Sequence, residues 1–189
     1  MSKTALKRAL FGVVIAATLT STASASAVTD FDPSTESIFV MRVKTNLGHD
    51  WRGRIIIYNG KLADTAGFKF SLFTPARYSD FPQGGFIVGR AKRGEWLGLA
   101  NIGENMSCKD GNTLAFRVDP GKVGYVGEVT ATPKGVGFTV TSHQDEAAAQ
   151  AFIEQYYPQW KGQLDHAEAR VVTVDKKCAL PSQTIYIHM

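Results

Sequence analysis

The chain is poor in the residues that ordinarily carry chemistry. Its 189 residues include only two cysteines and four histidines. The histidines, at positions 49, 143, 166 and 188, show no H-x-H or H-E-x-x-H spacing, so no metal site is expected. No G-x-S-x-G elbow marks a serine hydrolase, and no cofactor motif is present. The longest apolar run, Ala9 to Leu19, falls well short of the roughly 20 residues that span a bilayer. An excess of charge of one sign is also missing once the N-terminus is set aside. Three of the 21 Lys+Arg and none of the 17 Asp+Glu lie in residues 1–27, which leaves the remainder at +1. The basic balance of the whole chain therefore gives no support to nucleic-acid binding, and Arg90, Lys92 and Arg93 are expected as a solvated hairpin tip.

What is present begins with an export signal. Lys3, Lys7 and Arg8 precede the apolar stretch, and Ala25-Ser26-Ala27 forms a small-residue cleavage site. Residues 1–27 are thus expected to be removed as a signal peptide, leaving Val28 as the mature N-terminus of a periplasmic or secreted protein. No cysteine follows the cleavage site, so neither a lipid nor an integral anchor is expected in the mature chain.

In an exported chain, Cys108 and Cys178 can persist as a disulfide. Free thiols and metal binding are the alternatives, and two cysteines 70 residues apart without a clustered histidine make a poor metal signature. Closing that loop would stabilise the fold by about 4 kcal/mol on the loop-entropy argument.

Residues 28–37 are polar and read as a flexible leader to a single domain over 38–189. From Ile38 onward, short runs of branched and aromatic residues alternate with turn residues. IFVMRVK places Phe39, Met41 and Val43 on one face. RIIIY at 54–58 is continuously apolar and ends at Asn59-Gly60, a tight-turn signal. FKFSLF at 68–73 alternates Phe68, Phe70 and Leu72 with polar residues. FIVGRAK and EWLGLANIG suggest a hairpin around Arg93-Gly94. LAFRV points Ala115 and Arg117 outward, and VGYVGEVTA and GFTVTS suggest a second hairpin around Pro133-Lys134-Gly135. With ARVVTV at 169–174, these runs predict a mainly β domain, an antiparallel β-sandwich of about eight strands. One helix is expected over 145–157, with Ala149, Phe152, Ile153 and Tyr156 on one face. Ser142-His143-Gln144-Asp145 would form its capping box, and Pro158 its end.

FRVDPGKVGYVGEV, from Phe116 to Val129, comes nearest to a functional motif. A phosphate-binding loop needs glycine five positions before its Gly-Lys pair and Ser or Thr after the lysine. Phe116 and Val123 occupy those positions. Asp119-Pro120-Gly121-Lys122 instead suits the type II turn of a hairpin, with proline presetting φ and Gly121 accepting a positive φ. Gly124 and Gly127 point to opposite faces, where each can admit a bulky neighbour or mark a bulge.

The order F-x-V-x-P-G-K-x-x-Y-x-G, carried by Phe116, Val118, Pro120, Gly121, Lys122, Tyr125 and Gly127, resembles a group of short exported bacterial β-sandwich proteins of undefined function. That group is similar to prealbumin-like and carboxypeptidase-regulatory-like sandwiches, and the resemblance extends over residues 38–141. It implies a fold and a compartment but no catalytic residues.

Candidate functional residues are few. His49, Asp50, Trp51 and Arg52, in NLGHDWRGR, could supply a general base with an acidic partner or a small anion site. Neighbours in an extended chain do not face one another, so an exposed polar loop is the simpler expectation. Glu95 and Glu104 would form a carboxylate pair only if the fold joined them. Trp96 and Trp160 are large enough to anchor a partner, although tryptophan more often packs in a core. The sequence therefore leans towards a non-enzymatic binding protein that takes an envelope or extracellular protein or glycan. An envelope hydrolase using His49 and Asp50, or an inhibitor of a secreted enzyme presenting loop 74–85, are the alternatives.

Overall fold

A computed structural model describes residues 28, 30–46, 55–63, 67–75, 83–103, 105–108 and 111–175. Within them the chain is mainly β with one helix. The strands are β1 (Glu36–Thr45), β2 (Ile55–Ala63), β3 (Gly67–Pro75), β4 (Phe86–Lys92), β5 (Trp96–Ile102), β6 (Asn105–Met106), β7 (Asn112–Arg117), β8 (Val123–Lys134), β9 (Gly137–His143), β10 (Leu164–His166) and β11 (Glu168–Thr173). The helix α1 spans Glu146–Tyr156.

The expected antiparallel arrangement of about eight strands needs correction. The described strands number eleven and form one hydrogen-bonded sheet with the order β11-β7-β5-β6-β9-β8-β1-β4, to which β2, β3 and β10 add. The sheet is mixed, because β1 runs parallel to β8, β10 parallel to β8, and β6 parallel to β9. The strand at the centre of this pairing, β1, is buried on both sides. Ile38, Val40, Phe39 and Met41 are all fully buried, as in strands covered on both faces.

Phe39, Met41 and Val43 point into a core that also draws on β2, β4, β5, β7, β8 and β9. A flat sheet could not bring seven strands to one cluster, so the sheet curls around it. The opposite face of β1, with Ile38 and Val40, joins Phe86 and Val88 of β4 and Val123 and Tyr125 of β8 under α1. Phe152 stacks on Phe86 with centroids 4.4 Å apart. Trp160 stacks on Tyr157 at 5.0 Å, in a 3-10 turn that begins at Pro158. Each large apolar side chain buried here contributes about 1.5–3 kcal/mol. Asp145 itself is the N-cap, accepting from the Ala148 N–H at 3.2 Å. Ser142 and His143 still belong to β9, so no capping box starts at Ser142.

Turn chemistry was legible, but the strands that two of the turns join do not pair. Gly121 has φ +73°, and the Lys122 N–H donates to the Asp119 carbonyl at 3.2 Å, as the type II reading requires. Yet β7 pairs with β5 and β11, while β8 pairs with β1, β9 and β10. Arg93-Gly94 likewise turns the chain from β4, which pairs with β1, to β5, which pairs with β2, β6 and β7. Of the three expected hairpins, at Arg93-Gly94, Pro120-Gly121 and Gly135, only the last, joining β8 to β9, closes.

Asn59-Gly60 is not a turn. Strand β2 passes straight through it, with Gly60 opposite both Trp96 and Phe70. The glycine is there to make room: a Cβ would lie 2.7 Å from the fully buried Phe68 ring and would collide with the Lys69 carbonyl.

Residues 30–37 make specific contacts with the rest of the domain. Glu36 and Ser37 already belong to β1. Asp32 accepts from the Ser34 N–H at 2.9 Å and the Ser34 hydroxyl at 2.7 Å. Phe31 packs edge-on against Trp160, and Arg90 donates to the Asp30 carbonyl at 2.7 Å.

Candidate functional site

His49, Asp50, Trp51 and Arg52 lie outside the described residues, as do Glu104, Cys178 and positions 76–82 of the expected inhibitory loop. The remaining sequence candidates disperse. Glu95 is bonded to Asn59. Arg90 ties down the leader through Asp30 and Glu36. His166 meets Glu146 at 2.9 Å, both well exposed. Among the described residues no three His, Cys, Asp or Glu side chains gather as metal ligands, and no helix is long and apolar enough to cross a membrane. Of the two tryptophans, Trp160 is buried in the core under α1 while Trp96 reaches the surface.

Two arginine clusters stand out, and they differ in kind. The first joins the sheet to the start of α1. A bulge in β8 lets Val40 face Tyr125 and Met41 face Gly127, so that Glu128 falls opposite Arg42. Gly127 takes φ 122° to permit this, the bulge anticipated as one of two uses for that glycine. The Glu128 carboxylate, only 10% exposed, receives Arg42 Nη1 at 3.2 Å and Lys44 Nζ at 2.7 Å. Arg42 also donates Nε to the Gly84 carbonyl at 3.0 Å, lies 4.0 Å from Asp145 and covers the Phe86 ring at 5.2 Å. Its fork is spent. Beneath it, burial pushes the Tyr125 phenol up; among the described residues its hydroxyl meets no partner of hydrogen-bonding geometry, although the Asp145 backbone lies near enough to temper the shift. This cluster holds the helix on the sheet.

The second cluster lies on the face of β5, β7 and β11. Pairing of Gly98 with Ala115, Arg117 with Glu168 and Ala115 with Arg170 puts Trp96, Arg117, Glu168 and Arg170 on one face, since alternate residues of a strand share a side. Arg117 lies 5.2 Å and Arg170 5.9 Å from the Trp96 ring centroid. Glu168 bridges them, taking Arg117 Nε on Oε2 and Arg170 Nη2 on Oε1, each at 2.6 Å. Burial pushes the Glu168 carboxyl up, and the hydrogen bonds and charges of Arg117 and then Arg170 outweigh that, holding it below the usual carboxylate range. A guanidinium offers five N–H donors, and among the described residues each of these two spends one. Their side chains are 45% and 60% exposed, so among the described residues both guanidiniums remain open to solvent.

Tryptophan and arginine together are the residue types that most often anchor a protein interface. The row next to Trp96 and Arg117 holds Gly98 and Ala115, and it is covered: the Phe68 and Phe70 rings pack against Gly98, and Ala115 is fully buried. Sequence inspection singled out Trp96 and noted Arg117 as outward-facing. It did not connect Arg117 with Arg170, whose proximity depends on the β7–β11 register. Compared with known proteins, the chain matches no family model, no curated protein and no solved structure.

Proposed function

We propose that this is a non-enzymatic binding protein of the bacterial periplasm or extracellular medium, which holds a partner protein through the face of Trp96, Arg117 and Arg170. The observation that carries it is the partly exposed Trp96 ring flanked by two guanidiniums with unspent donors. Such groups bind planar anions and aromatic surfaces; none of them is a nucleophile or a proton carrier near neutral pH. Export behind residues 1–27 belongs to the same proposal. So does a rigid β-sandwich frame, favoured by the larger core cluster, which seven strands share.

A Cys108–Cys178 disulfide completes the proposal. Cys108 is buried, and Thr173 at the end of β11 lies opposite Asn112, four residues beyond Cys108. From Thr173 the five residues to Cys178 reach up to about 17 Å in extended form, and the Gly111 N–H bonded to the Cys108 carbonyl keeps Cys108 close to the start of β7.

The test is retention of a partner from an envelope extract by the mature protein, set against Trp96→Ala with its fold verified by circular dichroism. A partner held by the wild type and lost from the variant supports the proposal. Equal retention by both, or hydrolytic turnover abolished by His49→Ala, would overturn it.

A further inference from the structure

Resting on that binding face, a further inference concerns the chemistry of the partner. We propose that Glu168 occupies the place of a partner carboxylate, and that the face receives an acidic peptide segment whose Asp or Glu side chains share or take over the Arg117–Arg170 pair. The chain thus carries an internal occupant of its own site.

Three observations support this. First, two cations share one anion, so the cluster carries a net positive charge beside an aromatic ring. Second, the carboxylate already seated there uses one oxygen per guanidinium, which demonstrates that a planar carboxylate fits between them. Third, Glu168 is itself 32% exposed and is attached to β11, the terminal strand of the main sheet path. A competing carboxylate can therefore approach from solvent without opening the core. A glycan is less well suited, because the guanidiniums lie over the Trp96 ring and the ring face is what a sugar would need for stacking.

The contrast with Arg42 sharpens the point. Arg42 is 25% exposed, and its partners are a backbone carbonyl, a nearly buried Glu128 and the Phe86 ring. A ligand carboxylate would have to displace contacts that hold α1 in place. At Arg117 and Arg170 it need displace only a surface carboxylate, and surface ion pairs are worth little, about 0–1 kcal/mol.

The experiment measures fluorescence anisotropy of a labelled hexaglutamate peptide titrated with the full mature protein at low and at physiological salt. Glu168→Gln is expected to bind it tighter by roughly fivefold or more, since two exposed guanidiniums regain charge-assisted donors and a like charge is removed. Arg170→Ala should weaken binding, Arg117→Ala with Arg170→Ala should abolish it, and Lys161→Ala, on a different surface, should leave it unchanged. Added salt should weaken wild-type binding, as exposed charges are screened. An unchanged or weaker affinity in Glu168→Gln overturns the inference. So does tighter binding of a phosphopeptide or of an oligouronate of equal charge. Arg170→Ala gives an independent arm should Glu168→Gln fail to fold. The two proposals fail separately. Retention of a partner that depends on Trp96 but is not competed by hexaglutamate leaves the binding role standing and removes only the acidic segment.

Discussion

Gly98→Ala adds one methyl group at a site where there is no room for it. An added Cβ would lie 2.5 Å from Phe68 Cε1, 2.9 Å from Phe68 Cδ1 and 2.9 Å from Phe70 Cε1. Ordinary contact begins near 3.4 Å, so the Phe68 ring must retreat by about 0.9 Å. It has nowhere to go: Phe68 is fully buried, rests on Gly60 from the neighbouring strand and meets Phe70 edge-on at 4.9 Å. Overpacking of this kind costs about 1–3 kcal/mol, well above the several tenths that alanine in place of glycine could return through the unfolded chain. In urea, with a denaturant slope of about 2 kcal/mol per molar for a domain of this size, the midpoint should fall by about 0.5–1.5 M. The cause can be isolated with Phe68→Leu, which removes the ring. Gly98→Ala placed on that background should cost distinctly less than on the wild type, giving a coupling of about 1 kcal/mol or more. A Gly98→Ala protein within about 0.5 kcal/mol of wild type, or two substitutions that simply add, would refute the steric account.

Four further outcomes are expected. Arg42→Ala should lower stability by about 2–3 kcal/mol in denaturant titration, because it leaves the nearly buried Glu128 with Lys44 alone. Gly121→Val should lower the melting temperature while Lys122→Ala leaves it nearly unchanged. Gly121 combines φ +73° with the Pro33 carbonyl 2.9 Å from any Cβ, whereas Lys122 makes one exposed ion pair with Asp165 at 3.6 Å. Peptide mapping without reduction should recover Cys108 linked to Cys178, with Cys178→Ser less stable by about 2–4 kcal/mol; two freely alkylated thiols would exclude the bridge. The folded-state pKa of Glu168 is depressed, so its stabilising contribution is fully present above the unfolded-chain value of about 4.3 and is lost as pH falls through the folded value. A melting-temperature advantage of wild type over Glu168→Gln should accordingly vanish in that acid range.

Local structure was legible in this sequence where a dihedral angle or a burial period decides it. Phe39, Met41 and Val43 share a core face because alternate residues of a strand must. Pro120-Gly121 turns because proline and glycine suit its two central positions. Asn59-Gly60 was misread because glycine has two uses. At Gly121 it supplies a positive φ, and at Gly60 and Gly98 it supplies empty space for a ring from another strand. Nothing local separates the two uses; the ring that decides between them is Phe68, and its position follows from pairing. Partner choice was illegible for the same reason. The motif residues of β7 and β8 are joined by a tight turn, yet each pairs elsewhere, because β1 and β11 offer faces that match the core on both sides. Trp96 could be nominated from its residue type, whereas Arg170 entered the site only through its register with Ala115.

The two arginine clusters show why an open site can persist beside a closed one. A cation held near a buried carboxylate must be fully paired, since an unpaired buried charge costs several kcal/mol. Arg42, Lys44 and Glu128 accordingly satisfy one another, and what they contribute is the seating of α1. Exposed guanidiniums face no such demand, since water satisfies their spare donors at little cost. Two of them crowded against one indole would nonetheless repel each other and sample many rotamers. Glu168 removes both difficulties by neutralising one charge and fixing both forks at 2.6 Å. Its effect is to preorganise the pair, so that an incoming carboxylate meets donors whose side-chain entropy has already been lost. Preorganisation and competition thus come from the same residue and act in opposite directions on affinity. Glu168→Gln separates them, because glutamine keeps much of the packing and one hydrogen-bond acceptor but not the charge. Tighter binding in that variant means that competition dominates in the native protein; weaker binding means that Glu168 serves only to order the pair, and the idea of an internal occupant falls.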